Sequence, residues 1–306
     1  MFVALQQFCE EDEQPRRELL RAGFRIHQNS LGRRLLKEEM AELLRDADAV
    51  LAGVEPYDAP LLTALPRLRC ISRCGVGTDN IDLHVAGRSG IAVFTTPEEV
   101  VEPVAQMTLA MILALARNFP LHLSDFHRGE WKKHTGHLLS EWTVGIVGFG
   151  RIGKTLCRYL QPFGCRVLAC DPNWVSENPP ERVERVELEA LLRESDVVSL
   201  HATLPVGAPV LLGRREFVLM RRGSCLVNTA RGHLVDEEVL ISALKSGHLS
   251  AAALDVFENE PYSGKLSQLP QALCTPHVAS LTARSRGEME LRCARNVIEF
   301  FSRGHE

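Results

Sequence analysis

The sequence predicts an α/β protein built on mostly parallel sheets, and three observations support this fold class. Short apolar runs alternate with helical patterns from one end to the other, as in chains of successive β-α units. A glycine-rich turn near the middle of the chain joins an apolar strand to an amphipathic segment. The length of 306 residues, with 45% hydrophobic and 24% charged residues, suits about two globular domains, each large enough to bury a core.

The first third of the chain predicts five strands separated by helices. We expect strands near 2–5, 24–27, 49–52, 70–72 and 92–94, with helices over 35–44 and 82–88. A long apolar helix over about 101–117 follows and carries the chain into a second domain. Residues 118–140 are rich in histidine and are expected to be irregular.

A second series of strands and helices begins near residue 143. Its strands are expected near 144–147, 167–170, 197–200, 225–228, 251–254 and 273–274. A final helical pattern from about 283 to 301 returns to the first domain. The second series is therefore inserted into the first domain.

The turn that opens the second series has the spacing of a dinucleotide fingerprint, GFGRIG. Gly148 allows the tight turn out of the strand, Gly150 lets the backbone approach a pyrophosphate, and Gly153 lets the helix pack close to the sheet. The N–H groups at the helix start, from Arg151 and Ile152, can hold phosphate oxygens. Strands on both sides of the turn complete the context that this motif requires.

The second strand of this unit ends on Asp171, whose carboxylate can accept both ribose hydroxyls and repel the 2′-phosphate of NADP. No Arg or Lys occurs at 172–175, so the predicted cofactor is NAD. We expect two doubly wound parallel-sheet domains: a Rossmann NAD-binding domain over 98–281, inserted into a flavodoxin-like substrate domain made of 1–97 and 282–306.

Composition argues against several other classes of protein. A formal net charge of −4 leaves no basic surface for nucleic acid. The apolar run over 107–116 is too short to span a bilayer, and the N-terminus resembles a strand rather than a signal peptide. Nine dispersed cysteines suggest reduced thiols and a cytoplasmic protein. The histidines over 122–137 lack the spacing of a metal site, so no metal is expected.

Three polar side chains follow successive predicted strands of the second series, where open α/β sheets bind ligands. Arg231 can clamp a substrate carboxylate and polarise a carbonyl. His277 can move the proton that accompanies hydride transfer, and Glu260 can orient and stabilise its charged form. His201 and His233 also stand near strand ends and are alternative proton carriers.

The chain resembles the D-2-hydroxyacid dehydrogenases, and most closely the catalytic core of D-3-phosphoglycerate dehydrogenases. The similar segments span most of the chain: SRCGVGTDNID (72–82), VAQMTLAMILALAR (104–117), TVGIVGFGRIG (143–153), LVNTARGHLVDEEVL (226–240), AALDVFENEP (252–261) and TPHVAS (275–280). The resemblance implies a catalytic triad of Arg231, Glu260 and His277. It also implies substrate contacts from Arg73, Val76, Gly77, Arg231 and His277. The implied cofactor contacts outside the fingerprint are Thr96, Ala202, Thr203, Pro205, Thr229, Ala230, Arg231, Asp255, His277 and Ala279.

The resemblance implies NAD-dependent interconversion of a D-2-hydroxy acid and its 2-keto acid, with 3-phosphoglycerate the best single substrate. The acidic loop 97–103 departs from the family pattern, and Glu98 and Glu99 would disfavour a phosphorylated substrate. The alternatives are a glyoxylate or hydroxypyruvate reductase, a phosphite dehydrogenase and, from another class, an NAD(H)-sensing binding protein. The apolar helix over 104–116 and the arm 118–140 suggest a homodimer.

Overall fold

The computed structural model describes residues 1–174, 182–205 and 207–303. The strands are β1 (Phe2–Val3), β2 (His27–Gln28), β3 (Ala49–Ala52), β4 (Cys70–Arg73), β5 (Ala92–Phe94), β6 (Thr143–Val147), β7 (Arg166–Cys170), β8 (Val183–Arg185), β9 (Val197–Leu200), β10 (Ser224–Asn228), β11 (Leu249–Leu254) and β12 (Ala272–Cys274). The α-helices are α1 (Gln14–Arg21), α2 (Lys37–Leu43), α3 (Ala59–Thr63), α4 (Leu83–Arg88), α5 (Val101–Ala116), α6 (Phe119–His127), α7 (Arg151–Leu160), α8 (Leu188–Glu194), α9 (Arg214–Leu219), α10 (Glu237–Lys245) and α11 (Ala283–Arg303).

The chain forms two compact units. The first unit consists of Met1–Val100 and Leu281–Glu306, and the second of Val101–Ser280. Each contains its own parallel sheet, which confirms the predicted fold class of two parallel-sheet α/β domains.

The sheet of the first unit has the order β2-β1-β3-β4-β5, the doubly wound flavodoxin-like order. Side-chain caps explain where two of its helices begin: Asp58 accepts a hydrogen bond from the Leu61 N–H at 3.1 Å, and Asp82 accepts one from the Val85 N–H at 2.9 Å. Helix α11 packs on α1 in this unit. The polar loops 53–58 and 74–82 follow the carboxyl ends of β3 and β4.

The sheet of the second unit has seven strands in the order β12-β11-β10-β9-β6-β7-β8. The order reverses between β6 and β9, which is the switch point of a Rossmann sheet. Strands β6, β9 and β10 are almost completely buried, because helices cover both faces of the sheet. The segments that follow these three strands begin at Gly148, His201 and Thr229.

The structure differs from the sequence expectations in three places. Residues 119–127 form helix α6, so the expectation of an irregular segment over 118–140 is wrong there; Pro120 lies in the first turn, where proline is compatible with a helix. Strand β8 was not expected. Strand β2 begins at His27 rather than near Phe24.

All nine cysteines are free thiols.

Across the described ranges, no single helix is both long and apolar enough to cross a membrane, although α5 and α6 meet the criterion together as a pair bent by 68°.

Candidate active site

Two glycines of the turn after β6 are required by close packing. Gly148 has φ +93°, and a Cβ there would lie 2.5 Å from the carbonyl carbon and oxygen of His201. A Cβ on Gly153 would lie 2.3 Å from the carbonyl oxygen of Gly148. Side chains at these positions would separate the turn from the strand next to it and the helix from the turn.

Gly150 is different, because a Cβ there would meet no atom within 4 Å. Helix α7 begins immediately afterwards at Arg151, with Gly150 as its N-cap and no side chain capping the first turn. The first-turn N–H groups of a helix have no acceptor within the helix. In α7 these groups lie next to the open space at Gly150. This arrangement fits the pyrophosphate of a dinucleotide.

Asp171 is held beside the glycine turn by two backbone bonds. Its Oδ2 accepts from the Phe149 N–H at 2.7 Å, and its Oδ1 accepts from the Asn173 N–H at 2.8 Å. A carboxylate oxygen can accept more than one hydrogen bond, so both oxygens remain able to accept ribose hydroxyls. Residues 172–174 contain no positive charge, as predicted, and Val175 lies outside the described residues.

Arg231 stands at the end of a loop that one buried amide organises. The Asn228 side chain, 1% exposed, accepts from the Ala230 N–H at 3.0 Å and donates to the Arg231 carbonyl at 2.8 Å. The Thr229 hydroxyl pairs with that of Thr108 on α5 at 2.9 Å. The loop therefore presents the predicted cofactor contacts Thr229–Arg231 on a fixed backbone.

Gly232 brings this loop against the one that carries Glu260. A Cβ on Gly232 would lie 1.9 Å from the carbonyl carbon of Phe257 and 2.2 Å from the Glu258 nitrogen. No side chain fits there, so only glycine allows the two loops to touch. As a result, the charge of Arg231 lies close enough to Glu260 to lower the pKa of that carboxyl.

Glu260 and His277 form the central pair of the site. The Nδ1 of His277 lies 2.7 Å from Oε2 of Glu260, while Oε1 accepts from the Phe257 N–H at 3.0 Å. Burial raises the pKa of the Glu260 carboxyl, while these two hydrogen bonds lower it. The charges of His277 and Arg231 act in the same direction, so that pKa lies below its ordinary value. Glu260 is therefore ionised at neutral pH and favours a protonated imidazole.

Asp255 holds the turn that presents His277. Its completely buried carboxylate accepts from the Thr275 hydroxyl at 2.5 Å and from the N–H groups of Val278 and Ala279 at 2.9 and 2.8 Å. His277 has φ +54°, a left-handed conformation that is uncommon for a non-glycine residue. Thr275 was not predicted as a site residue, and its position two residues before His277 was the only signal in the sequence.

The two alternative histidines have different surroundings. Burial lowers the pKa of the His201 imidazole to about 4, and its Nε2 lies 2.9 Å from the Ser199 hydroxyl. His201 is therefore neutral near pH 7. The Nε2 of His233 is buried without a hydrogen-bond partner among the described residues. His277, in contrast, is exposed and paired with a carboxylate.

Other predicted residues lie on loops of both units. Ala202, Thr203 and Pro205 follow β9 in the second unit. In the first unit, Thr96 is completely buried and its hydroxyl accepts from the Gly75 N–H at 2.7 Å, so it supports the loop that follows β4.

That loop, residues 73–77, contains the predicted substrate contacts Arg73, Val76 and Gly77. Two consecutive N–H groups, those of Val76 and Gly77, meet no hydrogen-bond acceptor among the described residues. Consecutive backbone N–H groups of this kind form an anion-binding concavity.

A Rossmann sheet with a glycine turn, an acid at the end of its second strand and a His–Glu pair beside an arginine defines a dinucleotide-dependent dehydrogenase. The chain belongs to the D-isomer specific 2-hydroxyacid dehydrogenase family: the model of that family's NAD-binding domain matches residues 109–279. This assignment confirms the predicted family and its NAD cofactor.

Individual relatives agree with the family. A glyoxylate reductase of Thermococcus gammatolerans is 37% identical over 296 residues, which is 92% of this chain and 88% of the relative. A D-3-phosphoglycerate dehydrogenase of Methanocaldococcus jannaschii is 36% identical over 82% of this chain but only 49% of its own length. The structure of a D-lactate dehydrogenase from Aquifex aeolicus, complexed with NAD and lactic acid, has a TM-score of 0.84 at 27% identity and covers 99% of this chain and 95% of that one.

Proposed function

We propose that this protein uses NADH to reduce a small 2-keto acid, either glyoxylate to glycolate or hydroxypyruvate to D-glycerate. The observation that carries the proposal is the pairing of His277 with Glu260 at 2.7 Å, with the charge of Arg231 beside it. The similarity to a glyoxylate reductase over 92% of the chain supports this class of substrate.

Bound NADH would supply the hydride. The guanidinium of Arg231 binds the substrate carboxylate through two parallel hydrogen bonds and polarises the keto oxygen. His277, as an imidazolium, donates a proton from Nε2 to that oxygen while Nδ1 stays bonded to Glu260. Glu260 favours the charged imidazole and fixes its orientation. Asp255 acts as a positioning residue, because its three hydrogen bonds hold the turn that presents His277.

Features of the first unit support a substrate without a phosphate group. Thr96 joins the loop after β5 to the 73–77 turn through two bonds with Gly75, N–H to hydroxyl at 2.7 Å and N–H to carbonyl at 3.0 Å. Glu98 and Glu99 follow directly, so the predicted acidic loop is adjacent to the predicted anion-binding turn. Negative charge there disfavours a phosphorylated substrate. The alternative stated from the sequence is therefore better supported than 3-phosphoglycerate.

A substrate panel tests the proposal. NADH oxidation is followed with glyoxylate, hydroxypyruvate, pyruvate, 2-ketoglutarate and 3-phosphohydroxypyruvate. We expect the highest kcat/KM for glyoxylate or hydroxypyruvate. The variant Arg231→Lys, prepared in parallel, identifies turnover by contaminants, because a point charge cannot replace the forked pair of hydrogen bonds. A preference for 3-phosphohydroxypyruvate would contradict the proposed substrate, and no turnover of any keto acid would contradict the proposed function.

A further inference from the structure

The loop after β3 in the first unit contains a buried carboxylate that the mechanism does not use. Glu55 is only 2% exposed, and its Oε2 accepts from the Gly53 N–H at 3.0 Å. A Cβ on Gly53 would lie 2.9 Å from that oxygen, so the carboxylate is folded back closely against its own loop. Carboxylates are rarely buried in this way without a charged partner or a function.

The same loop is joined to the one that follows β4. The Asn80 amide donates to the carbonyls of Gly53 and Glu55 at 3.2 and 2.6 Å, and the Tyr57 N–H donates to the Asn80 carbonyl at 2.7 Å. These bonds link the loop of Glu55 to the chain segment that forms the 73–77 turn. Both loops leave the carboxyl ends of neighbouring strands, the edge at which such sheets bind ligands.

Burial, backbone N–H groups and two positive charges act on Glu55. Burial raises the pKa of its carboxyl, while backbone N–H groups and the positive charges of Arg34 and Arg73 lower it, and the balance leaves that pKa raised. Arg73 is folded along the turn: its Nη1 donates to the Cys74 carbonyl and lies where a Cβ on Gly75 would be. The Glu55 carboxylate thus opposes the positive charge of Arg73, which belongs to the same 73–77 turn as Val76 and Gly77.

A second buried group lies in this cluster. The Tyr57 side chain is completely buried, and its hydroxyl has no hydrogen-bond partner in the described part of the chain. Burial raises the pKa of this phenol well above its ordinary value. The negative charge of Glu55 also raises that pKa, and the positive charge of Arg73 lowers it. A buried hydroxyl without a hydrogen-bond partner lowers the free energy of unfolding by roughly 1–3 kcal/mol. The cluster of Glu55 and Tyr57 therefore lowers the stability of the first unit.

We propose that Glu55 is a specificity residue whose buried carboxylate offsets Arg73 and selects 2-keto acids with no second anionic group on the third carbon. This inference rests on the proposed function and adds the group that excludes anionic substrates. The buried Glu55 carboxylate acts through Arg73 rather than by contact with the substrate. It reduces the net positive charge of the 73–77 turn, the predicted substrate-binding turn. Removal of the Glu55 carboxylate should therefore change discrimination between substrates with and without a second anionic group. A purely structural role would affect both kinds of substrate alike.

The test compares hydroxypyruvate with 3-sulfopyruvate, whose sulfonate keeps one negative charge throughout the pH range. At pH 8 the variant Glu55→Gln should raise kcat/KM for sulfopyruvate relative to hydroxypyruvate by about tenfold, because the positive charge of Arg73 is then no longer opposed by the buried carboxylate. The control Glu42→Gln removes the same charge from an exposed position on α2 and should leave the ratio unchanged.

A pH profile of the wild-type protein gives a second measurement if Glu55→Gln does not fold. Because burial raises the pKa of the Glu55 carboxyl, the sulfopyruvate-to-hydroxypyruvate ratio of the wild type should fall as pH rises through the range in which Glu55 ionises. An unchanged ratio in a folded variant, or a flat wild-type profile, would overturn the role of Glu55 alone. Failure to reduce any keto acid would overturn the proposed function as well.

Discussion

Replacing Glu260 with Gln keeps the size and a hydrogen-bond acceptor but removes the charge that faces His277. In the proposed reduction the His277 imidazolium is the proton donor, so activity should be lost as pH rises and the imidazole becomes neutral. Without the carboxylate the imidazolium is less favoured. The limb of the kcat profile at high pH should therefore move to lower pH.

The structure sets the size of this shift. The closest atoms of the His277 and Glu260 side chains are 2.7 Å apart. The His277 side chain is 42% exposed and that of Glu260 is 33% exposed. Two unit charges about 4 Å apart interact by roughly 1 kcal/mol in water and 4 kcal/mol in an environment of effective dielectric constant about 20. Because both side chains are partly exposed, solvent screening favours the lower part of that range. A displacement of about one pH unit is expected, since 1.36 kcal/mol corresponds to one unit.

The assay measures kcat against pH for the wild type, Glu260→Gln and His277→Ala with saturating keto acid and NADH. His277→Ala should lower kcat by roughly 10²–10⁴ and leave the affinity for NADH nearly unchanged. Because His201 is the alternative proton carrier, His201→Ala serves as the matched control and should retain most of the activity if the protein folds. A His277→Ala protein with more than about a tenth of the wild-type kcat, or a Glu260→Gln profile that does not move, would refute the assigned roles.

Three further predictions concern the cofactor, the first unit and assembly. Because Asp171 lies beside the glycine turn, kcat/KM should be much higher with NADH than with NADPH; equal values would remove Asp171 from its predicted role. The variant Tyr57→Phe removes an unpaired buried hydroxyl and should raise the free energy of unfolding by about 1 kcal/mol, measured by urea denaturation; a clear decrease would show that the hydroxyl has a partner. Five large apolar side chains between residues 119 and 138 are 47–84% exposed, so we expect a homodimer by light scattering, and a monomer at micromolar concentration would contradict it.

Local patterns in the sequence were sufficient to predict much of the fold. The bounds of β3, β5 and β9 agree with the expected strands because each is a short apolar run between clear breaks. Helix α6 and strand β8 were missed for local reasons: α6 contains a proline in its first turn, and β8 is only three residues long, with two of them exposed. Short elements with weak periodicity depend on their neighbours for stability.

The sequence by itself determined the family and its NAD cofactor, and it predicted Arg231, Glu260 and His277 as the catalytic side chains, because each lies in a contiguous motif after a strand. Only the tertiary structure showed that Gly232 brings the loop of Arg231 against that of Glu260, and that Asp255 holds the turn of His277. The burial of Glu55 and its electrostatic interaction with Arg73 were likewise absent from any motif. Such relations join residues far apart in the chain, and the packing of parallel strands alone decides which of their loops meet.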